Sequence, residues 1–260
     1  TFLREINLGR WGSGGEQSSA AHLGQVAVIG GGNTAVDAAR SALRLGADSV
    51  TIIYRRSRAE MPVNPWEIEE AEREGVKIVF LATPARLMCD SKVAAIECTR
   101  MELGEPDASG RRRPLPIPGT EFTRPVDTVI AAIGQLPDTG AIAGVELTGW
   151  GTILADEDTC ETTRPGVFAG GDAIAGPTTV IEAVAAGNRA AESIDRYLKG
   201  QDLREGRTFR IPKERIVERE VGEEVAYFAR FEMPMLPLEK RHGNFNEVEL
   251  GCSEEAARQE

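Results

Sequence analysis

Residues 26–56, "VAVIGGGNTAVDAARSALRLGADSVTIIYRR", constrain the fold more than any other part of the chain. An apolar run at 25–29 meets Gly30, Gly31 and Gly32, and a helical pattern follows at once. A continuous apolar run bounded by glycine suits a parallel strand buried on both faces. From Asn33 to Leu45, the apolar residues Ala35, Val36, Ala39 and Leu43 recur at helical spacing, and Gly46 supplies the stop. Residues 49–54 read as the next strand. "NPWE" (64–67) opens a second helix, with Asn64 as cap, Pro65 at the first helical position and Glu67 three residues after the cap. It ends near Gly75, and residues 76–81 make a third strand. The pattern is β-α-β-α-β, the half-unit of a doubly wound fold.

The glycine turn has a chemistry of its own. In Gly30-x-Gly32-x-x-Ala35, the first glycine permits a tight turn and the second lets the backbone approach a pyrophosphate. The small Ala35 lets helix and strand pack closely. Gly31, Asn33 and Thr34 complete the turn, whose helix N-terminus offers free N–H groups to phosphates. The end of the second strand separates NAD from NADP: an acid bonds the ribose 2′-hydroxyl, arginine accepts a 2′-phosphate. Here stand Arg55, Arg56 and Arg58, with no acid before Glu60. A guanidinium fork suits a phosphate, so Arg55 and Arg56 are expected to select NADP(H).

After Pro84 the helical periodicity stops. Short strand-like runs, "ARLMC", "VAAIECTRMEL" and "DTVIAAIG", suggest an antiparallel meander that returns to the sheet. The Pro-rich "RRRPLPIPG" between them reads as a solvated loop. The expected fold class is α/β: a Rossmann-like NAD(P)-binding domain with parallel sheet and antiparallel meander, plus, as the family resemblance described below implies, the C-terminal half of a discontinuous FAD-binding domain. Its parts are a lead-in segment at 1–24, the NADP(H)-binding domain at 25–138, the FAD-domain portion at 139–200 and an extension at 201–260. Residues 151–172 carry two strand-like pieces, and Thr179 to Glu182 form a capping box that opens a helix. Within the extension, "RIVEREVGEEVAYFARFEMP" reads as further strand.

Composition excludes several classes. A net charge of −11 argues against a nucleic-acid partner. No apolar run reaches the ~20 residues needed to cross a bilayer, and "TFLREINLGR" does not read as a signal peptide. The four cysteines, Cys89, Cys98, Cys160 and Cys252, lie far apart without a C-x-x-C, which argues against a local redox disulfide or zinc ribbon. They read as unpaired thiols of a reducing cytoplasm, and no metal site is assigned.

"GGGNTAVDAARSALRLGADSVTIIYRRSRAEMP", "AAIGQLPD" and "RPGVFAGGDAIAGPTTVIEAVAAGNRAA" together resemble the glutamate synthase small (beta) subunit family. That family belongs to the pyridine nucleotide-disulfide oxidoreductases but lacks their redox disulfide. The resemblance covers roughly residues 1–200. It implies that NADPH reduces FAD, which passes electrons to an iron–sulfur partner subunit or domain. It places FAD contacts at Gly171 and Asp172, the latter on a ribityl hydroxyl. Thr178, Thr179 and Val180 would meet the flavin pyrimidine, the amides of Thr179 and Val180 stabilising negative charge at N1 and O2. Gly134 would turn the chain near the nicotinamide ribose. The family's first glycine motif and its cluster cysteines are missing here, which implies a piece of a longer flavoprotein. A sheet edge left exposed in such a piece admits a homodimer.

The expected reaction is hydride transfer between nicotinamide and flavin, in which the cofactors carry the chemistry. No catalytic residue is therefore assigned, Glu67 and Glu70 included. The competing reading is a non-catalytic nucleotide-binding or assembly module of a larger redox complex.

Overall fold

The computed structural model describes residues 2–9, 22–107, 110–140, 142–207 and 231–259. They fall into two compact units. One comprises the residues up to Ile133 together with 231–259; the other starts at Gly134 and is described to Arg207.

In the first unit α1 (Phe2–Asn7) precedes β1 (Gln25–Ile29), α2 (Asn33–Arg44), β2 (Ser49–Tyr54), α3 (Pro65–Arg73) and β3 (Lys77–Phe80). Four antiparallel strands follow, β4 (Ala82–Asp90), β5 (Lys92–Pro106), β6 (Arg112–Pro116) and β7 (Phe122–Pro125). The chain then returns as β8 (Thr128–Ala131), which pairs parallel with β1 and completes the order β3-β2-β1-β8. The return of "DTVIAAIG" to the sheet is thus as the sequence predicts.

The two-residue period of the strands divides the core between two layers. Val26, Val28, Val50 and Ile52 pack with the buried alanines of α2 and with Ile68 and Ala71 of α3. Ala27 and Ile53, one residue out of phase, pack with Ala82, Ile96 and Cys98 of the antiparallel sheet. Strands covered on both sides explain why β1 and β2 read as unbroken apolar runs. On α2, Ala35, Ala38, Ala39 and Ala42 are all buried, so the helix lies close on the sheet. Asn64 caps α3 by accepting from the Trp66 amide at 3.3 Å, and its carbonyl accepts from the Glu67 amide at 3.0 Å, without the side-chain return bond of a capping box among the described residues.

One expectation needs correction. "RRRPLPIPG" is not a solvated loop: Arg112–Pro116 is β6, paired antiparallel with β5. β6 ends the order β4-β5-β6, and an edge strand tolerates Pro114 and Pro116 because their missing N–H groups are not needed by a further strand. Arg112 bonds back to the carbonyls of Leu103 (2.8 Å) and Gly104 (3.4 Å), which stiffens the hairpin.

The C-terminal residues of this unit form a bridge between Met235 and Glu249, a short 3-10 turn at Leu238–Lys240 and α6 (Glu254–Gln259). Arg241 enters the first unit's core beside Glu70 and Glu74 of the α3 region. Most of "RIVEREVGEEVAYFARFEMP" lies outside the described residues.

In the second unit, the strand-like pieces of 151–172 form only isolated bridges, Leu147 with Ile153, Ala155 with Thr162 and Glu161 with Phe168. Asp156 Oδ1 explains the interruption, accepting from the amides of Asp158 and Thr159 and the Thr159 hydroxyl in a tight turn. Two helices follow, α4 (Asp172–Ala175) and α5 (Val180–Leu198).

Candidate functional site

The glycine turn lies where β1 hands the chain to α2, and its three glycines answer to three different demands. Gly30 has φ +134°, and a Cβ there would stand 2.2 Å from the Ala132 carbonyl oxygen. At Gly31 a Cβ would meet the Tyr54 ring at 2.3 Å. Gly32 has an extended backbone (φ −93°, ψ 179°), and none of the described residues apart from its chain neighbours lies within 4 Å of a Cβ built there. The first two glycines serve internal packing, and Gly32 leaves space in front of the helix.

That space faces unused donors. Among the described residues no side chain caps α2. Gly30 N–H bonds to the Ile53 carbonyl, and the amides of Ala35 and Val36 bond to Gly32 O. The amides of Gly31, Gly32, Asn33 and Thr34 have no partner among the described residues. Asn33 and Thr34 are exposed, whereas Ala35 is fully buried against the sheet. Unspent N–H groups at a helix N-terminus, with open space before them, fit a pyrophosphate.

At the end of β2 the arginines part company. Arg55 is exposed and makes no hydrogen bond or ion pair among the described residues. Arg56 turns inward: Nε donates to the Arg112 carbonyl at 2.8 Å and Nη2 to Asp107 Oδ2 at 2.7 Å. Arg58 forks onto both carboxylate oxygens of Glu72 at 2.9 and 2.8 Å. Glu60 is spent locally, accepting from the Ser57 amide and hydroxyl, while its carbonyl accepts from the Tyr54 hydroxyl at 2.8 Å. Arg55 is therefore the guanidinium of this strand end left for an outside anion.

The second unit holds the other predicted residues. Gly171, φ +61°, caps α4, and Asp172 follows at its first position. Asp172 Oδ1 accepts from the Thr178 amide (3.1 Å) and hydroxyl (3.0 Å), folding 172–178 into a closed loop. The predicted capping box is formed: Thr179 Oγ1 accepts from the Glu182 amide at 3.2 Å, and Glu182 Oε2 accepts from the Thr179 amide at 2.9 Å. Hydrogen bonds from the Thr179 amide and hydroxyl hold the Glu182 carboxyl below the usual range. One consequence corrects the sequence reading. The Thr179 amide is already engaged by Glu182, so Val180 is the first amide of α5 open to an outside acceptor. Val180 and Ile181 are 80% and 81% exposed.

A cavity of about 370 Å³ lies in this unit, lined by Gly171, Ile174, Thr178, Glu182, Ala186 and Arg189 among others. Arg189 was not singled out from the sequence, and its Nε is buried without a partner among the described residues. The signal was present in the spacing: Glu182, Ala186 and Arg189 recur at helical intervals and share one face of α5. Gly134, at φ +91°, has open space around it and begins the second unit. Glu70, by contrast, is buried in an ion cluster with Arg73 and Arg241.

All four cysteines are free, Cys98 and Cys160 buried. Among the described residues no group of His, Cys, Asp and Glu is arranged to hold a metal ion, and no helix is long and apolar enough to cross a membrane.

Comparison with known proteins places these sites in context. The pyridine nucleotide-disulphide oxidoreductase family matches residues 11–187. The NADP(+)-dependent formate dehydrogenase subunit beta of Moorella thermoacetica is 53% identical over 200 residues, which is 76% of this chain and 27% of that protein. A glutamate synthase (NADPH) small chain of Azospirillum brasilense is 39% identical over 206 residues, 77% of this chain and 43% of that one. Among solved structures, the thioredoxin reductase of T. acidophilum is 26% identical with a TM-score of 0.52, covering 68% of this chain and 52% of that chain. This chain thus spans less than half the length of these two curated relatives.

Proposed function

The chain belongs to the pyridine nucleotide-disulphide oxidoreductase family, and we propose that it carries the NADP(H) site and part of the FAD site of an NADPH-dependent flavin oxidoreductase. The observation that carries this reading is the N-terminus of α2, which among the described residues has no side-chain cap, an open Gly32 and unpartnered amides, followed one strand later by Arg55, likewise unpaired among them. The relatives' names, NADP-dependent formate dehydrogenase and NADPH glutamate synthase subunits, support the choice of nucleotide.

When bound, the two cofactors supply the hydride chemistry between nicotinamide and flavin. This chain's residues bind and orient. Amides of Gly31 to Thr34 take the pyrophosphate, and Arg55 takes the 2′-phosphate. Gly134 turns the chain near the nicotinamide ribose. The Asp172 carboxylate, kept in place by Thr178, has Oδ2 left to accept from a ribityl hydroxyl. The Val180 amide and the positive end of α5 favour negative charge on a flavin. Residues 25–138 serve as the NADP(H)-binding domain and 139–200 as the C-terminal part of the FAD domain. The electrons pass to an iron–sulfur partner, in keeping with the family resemblance, and the free thiols suit work in the cytoplasm.

The full-length protein is expected to oxidise NADPH with an artificial acceptor in a flavin-dependent reaction. Nucleotide binding without any flavin reduction would favour the alternative, a non-catalytic module. The 260-residue chain by itself should bind NADPH yet purify colourless. The apolar side chains at the start of α5, Val180 and Ile181, are open to solvent, and a flavin held only there has few contacts. Stoichiometric FAD on this chain would overturn the division of the FAD domain.

A further inference from the structure

Arg40 and Arg44, four residues apart, share a face of the last turns of α2, and the glutamate beside them does not use up their donors. Arg40 donates Nε and Nη2 to the two Glu74 oxygens at 3.1 and 2.7 Å, and its Nη1 makes no hydrogen bond among the described residues. Arg44 makes one long bond, Nη2 to Glu74 Oε1 at 3.3 Å, and its Nε is buried without a partner among the described residues. Both side chains are largely covered, at 18% and 14% exposed. Guanidinium groups held this firmly and left half-used are short of an acceptor.

The two arginines line a cavity of about 320 Å³, to which the C-terminal residues bring Met235, Glu247 and Glu249, and the start of α3 brings Trp66. The C-terminal wall is fixed in place. The Leu236 amide bonds to the Val248 carbonyl at 2.7 Å and the Leu250 amide to the Pro234 carbonyl at 2.9 Å. Arg241 ties the same segment down, from the Leu236 carbonyl to Glu70. Glu247 and Glu249 are exposed, and among the described residues no ion pair joins either of them to Arg40 or Arg44. Unused cations and unused carboxylates thus line one cavity without meeting.

We propose that this cavity binds a small zwitterion, a free α-amino acid, whose carboxylate is taken by Arg40 and Arg44 and whose ammonium is taken by Glu247 and Glu249. A bare anion would satisfy the arginines but sit beside two carboxylates, and a bare cation meets the converse repulsion. A ligand carrying both charges is complementary to both sets. The arginine donors suit a carboxylate, and Trp66 and Met235 offer apolar surface to a side chain. The volume lies at the low end of the roughly 300–1,000 Å³ range of ligand pockets, which fits a molecule of amino-acid size. Arg40 and Arg44 lie toward the end of α2 away from the glycine turn, so the site is independent of the nucleotide reading.

The test is a thermal-shift screen of the full chain against the common amino acids, with calorimetry on the one that stabilises most. A dissociation constant of about 1 mM or below is expected. The N-acetyl and carboxamide derivatives of that amino acid, each lacking one charge, should bind roughly tenfold more weakly or worse. Arg44→Gln and the double variant Glu247→Gln/Glu249→Gln should each weaken binding by a similar factor. Arg44 also touches Glu74, so a misfolded Arg44→Gln protein leaves the decision to the double variant, whose exposed glutamates should be replaceable without lowering the melting temperature. A chain that binds no amino acid, or binds one equally well in a folded double variant, overturns the proposal. Acetate or inorganic phosphate binding as tightly as the amino acid would make this a plain anion site and overturn it too.

Discussion

Gly30→Ala is expected to unfold the proposed nucleotide-binding unit, whereas Gly32→Ala should leave it folded but weaken its hold on a dinucleotide. A Cβ at Gly30 would lie 2.2 Å from the Ala132 carbonyl oxygen and 2.9 Å from its carbonyl carbon. The clash is with backbone, and that backbone is bonded to β1 through Ala132 N–H to Ile29 O at 2.8 Å. Relief would require β1 and β8 to separate. Alanine also disfavours φ +134°. Steric and conformational costs together should exceed about 3 kcal/mol. Gly32 meets none of these obstacles among the described residues, and its new methyl would instead crowd a phosphate brought up to the neighbouring amides. Loss of one or two charge-assisted bonds to phosphate corresponds to an NADPH affinity lower by roughly ten- to a hundredfold. Circular dichroism and NADPH titration separate the two effects. A folded Gly30→Ala protein, or a Gly32→Ala protein with normal affinity, would sink the corresponding assignment.

Arg241→Ala should destabilise the first unit by about 3 kcal/mol. Arg241 Nη1 lies 2.6 Å from Glu70 Oε2 and 3.0 Å from Glu74 Oε1, and its Nε donates to the Leu236 carbonyl at 2.6 Å. The three side chains are only 4%, 8% and 3% exposed, in the order Arg241, Glu70, Glu74. Removing the cation leaves two buried carboxylates, which Arg40, Arg44 and Arg73 only partly compensate. That remaining support places the loss near the low end for a broken buried pair. Burial pushes the Glu70 carboxyl up, but hydrogen bonds from Arg241 and Arg73 outweigh it and leave the group below its ordinary value. Glu74 is likewise pushed up by burial and held below its ordinary value by Arg40 and Arg241.

The sign of the pH dependence follows. A carboxylate with a depressed folded pKa contributes its stability in full above the unfolded value of ~4.3, and loses it as pH falls through the folded value. Wild type should therefore lose stability below about pH 4. The gap between wild type and Arg241→Ala should be widest near neutrality and narrow in acid. A gap independent of pH, measured by denaturant unfolding from pH 7 to pH 3, would show that the cluster does not act through ionised Glu70 and Glu74.

The regular elements around the turn were legible because each carries a local pattern. The boundaries of β1 and β2 and the Thr179–Glu182 capping box match the sequence reading, since apolar runs and cap spacing are decided within a few residues. The Pro-rich segment was misread because proline is usually a strand breaker, and only the position of β6 at a sheet edge removes that objection. The Thr179 amide was misread for a related reason: the same capping box that marks the helix start also consumes the donor assigned to a ligand.

The sequence by itself determined that this chain builds a parallel β-α-β-α-β unit around a glycine turn, because glycine spacing, helical period and apolar strands all act over short distances. Only the tertiary structure decided which donors remain for a ligand. Arg55 and Arg56 are neighbours in a basic run, yet a carboxylate 51 residues from Arg56 claims it, while Arg55 has no partner among the described residues. Arg241 looks like one more surface charge until the chain brings it, across 171 residues, to a buried glutamate. Ion pairs of this kind form through space between sites far apart in sequence, so no local pattern records them; folding alone sorts the charges into those spent on the structure and those left to bind.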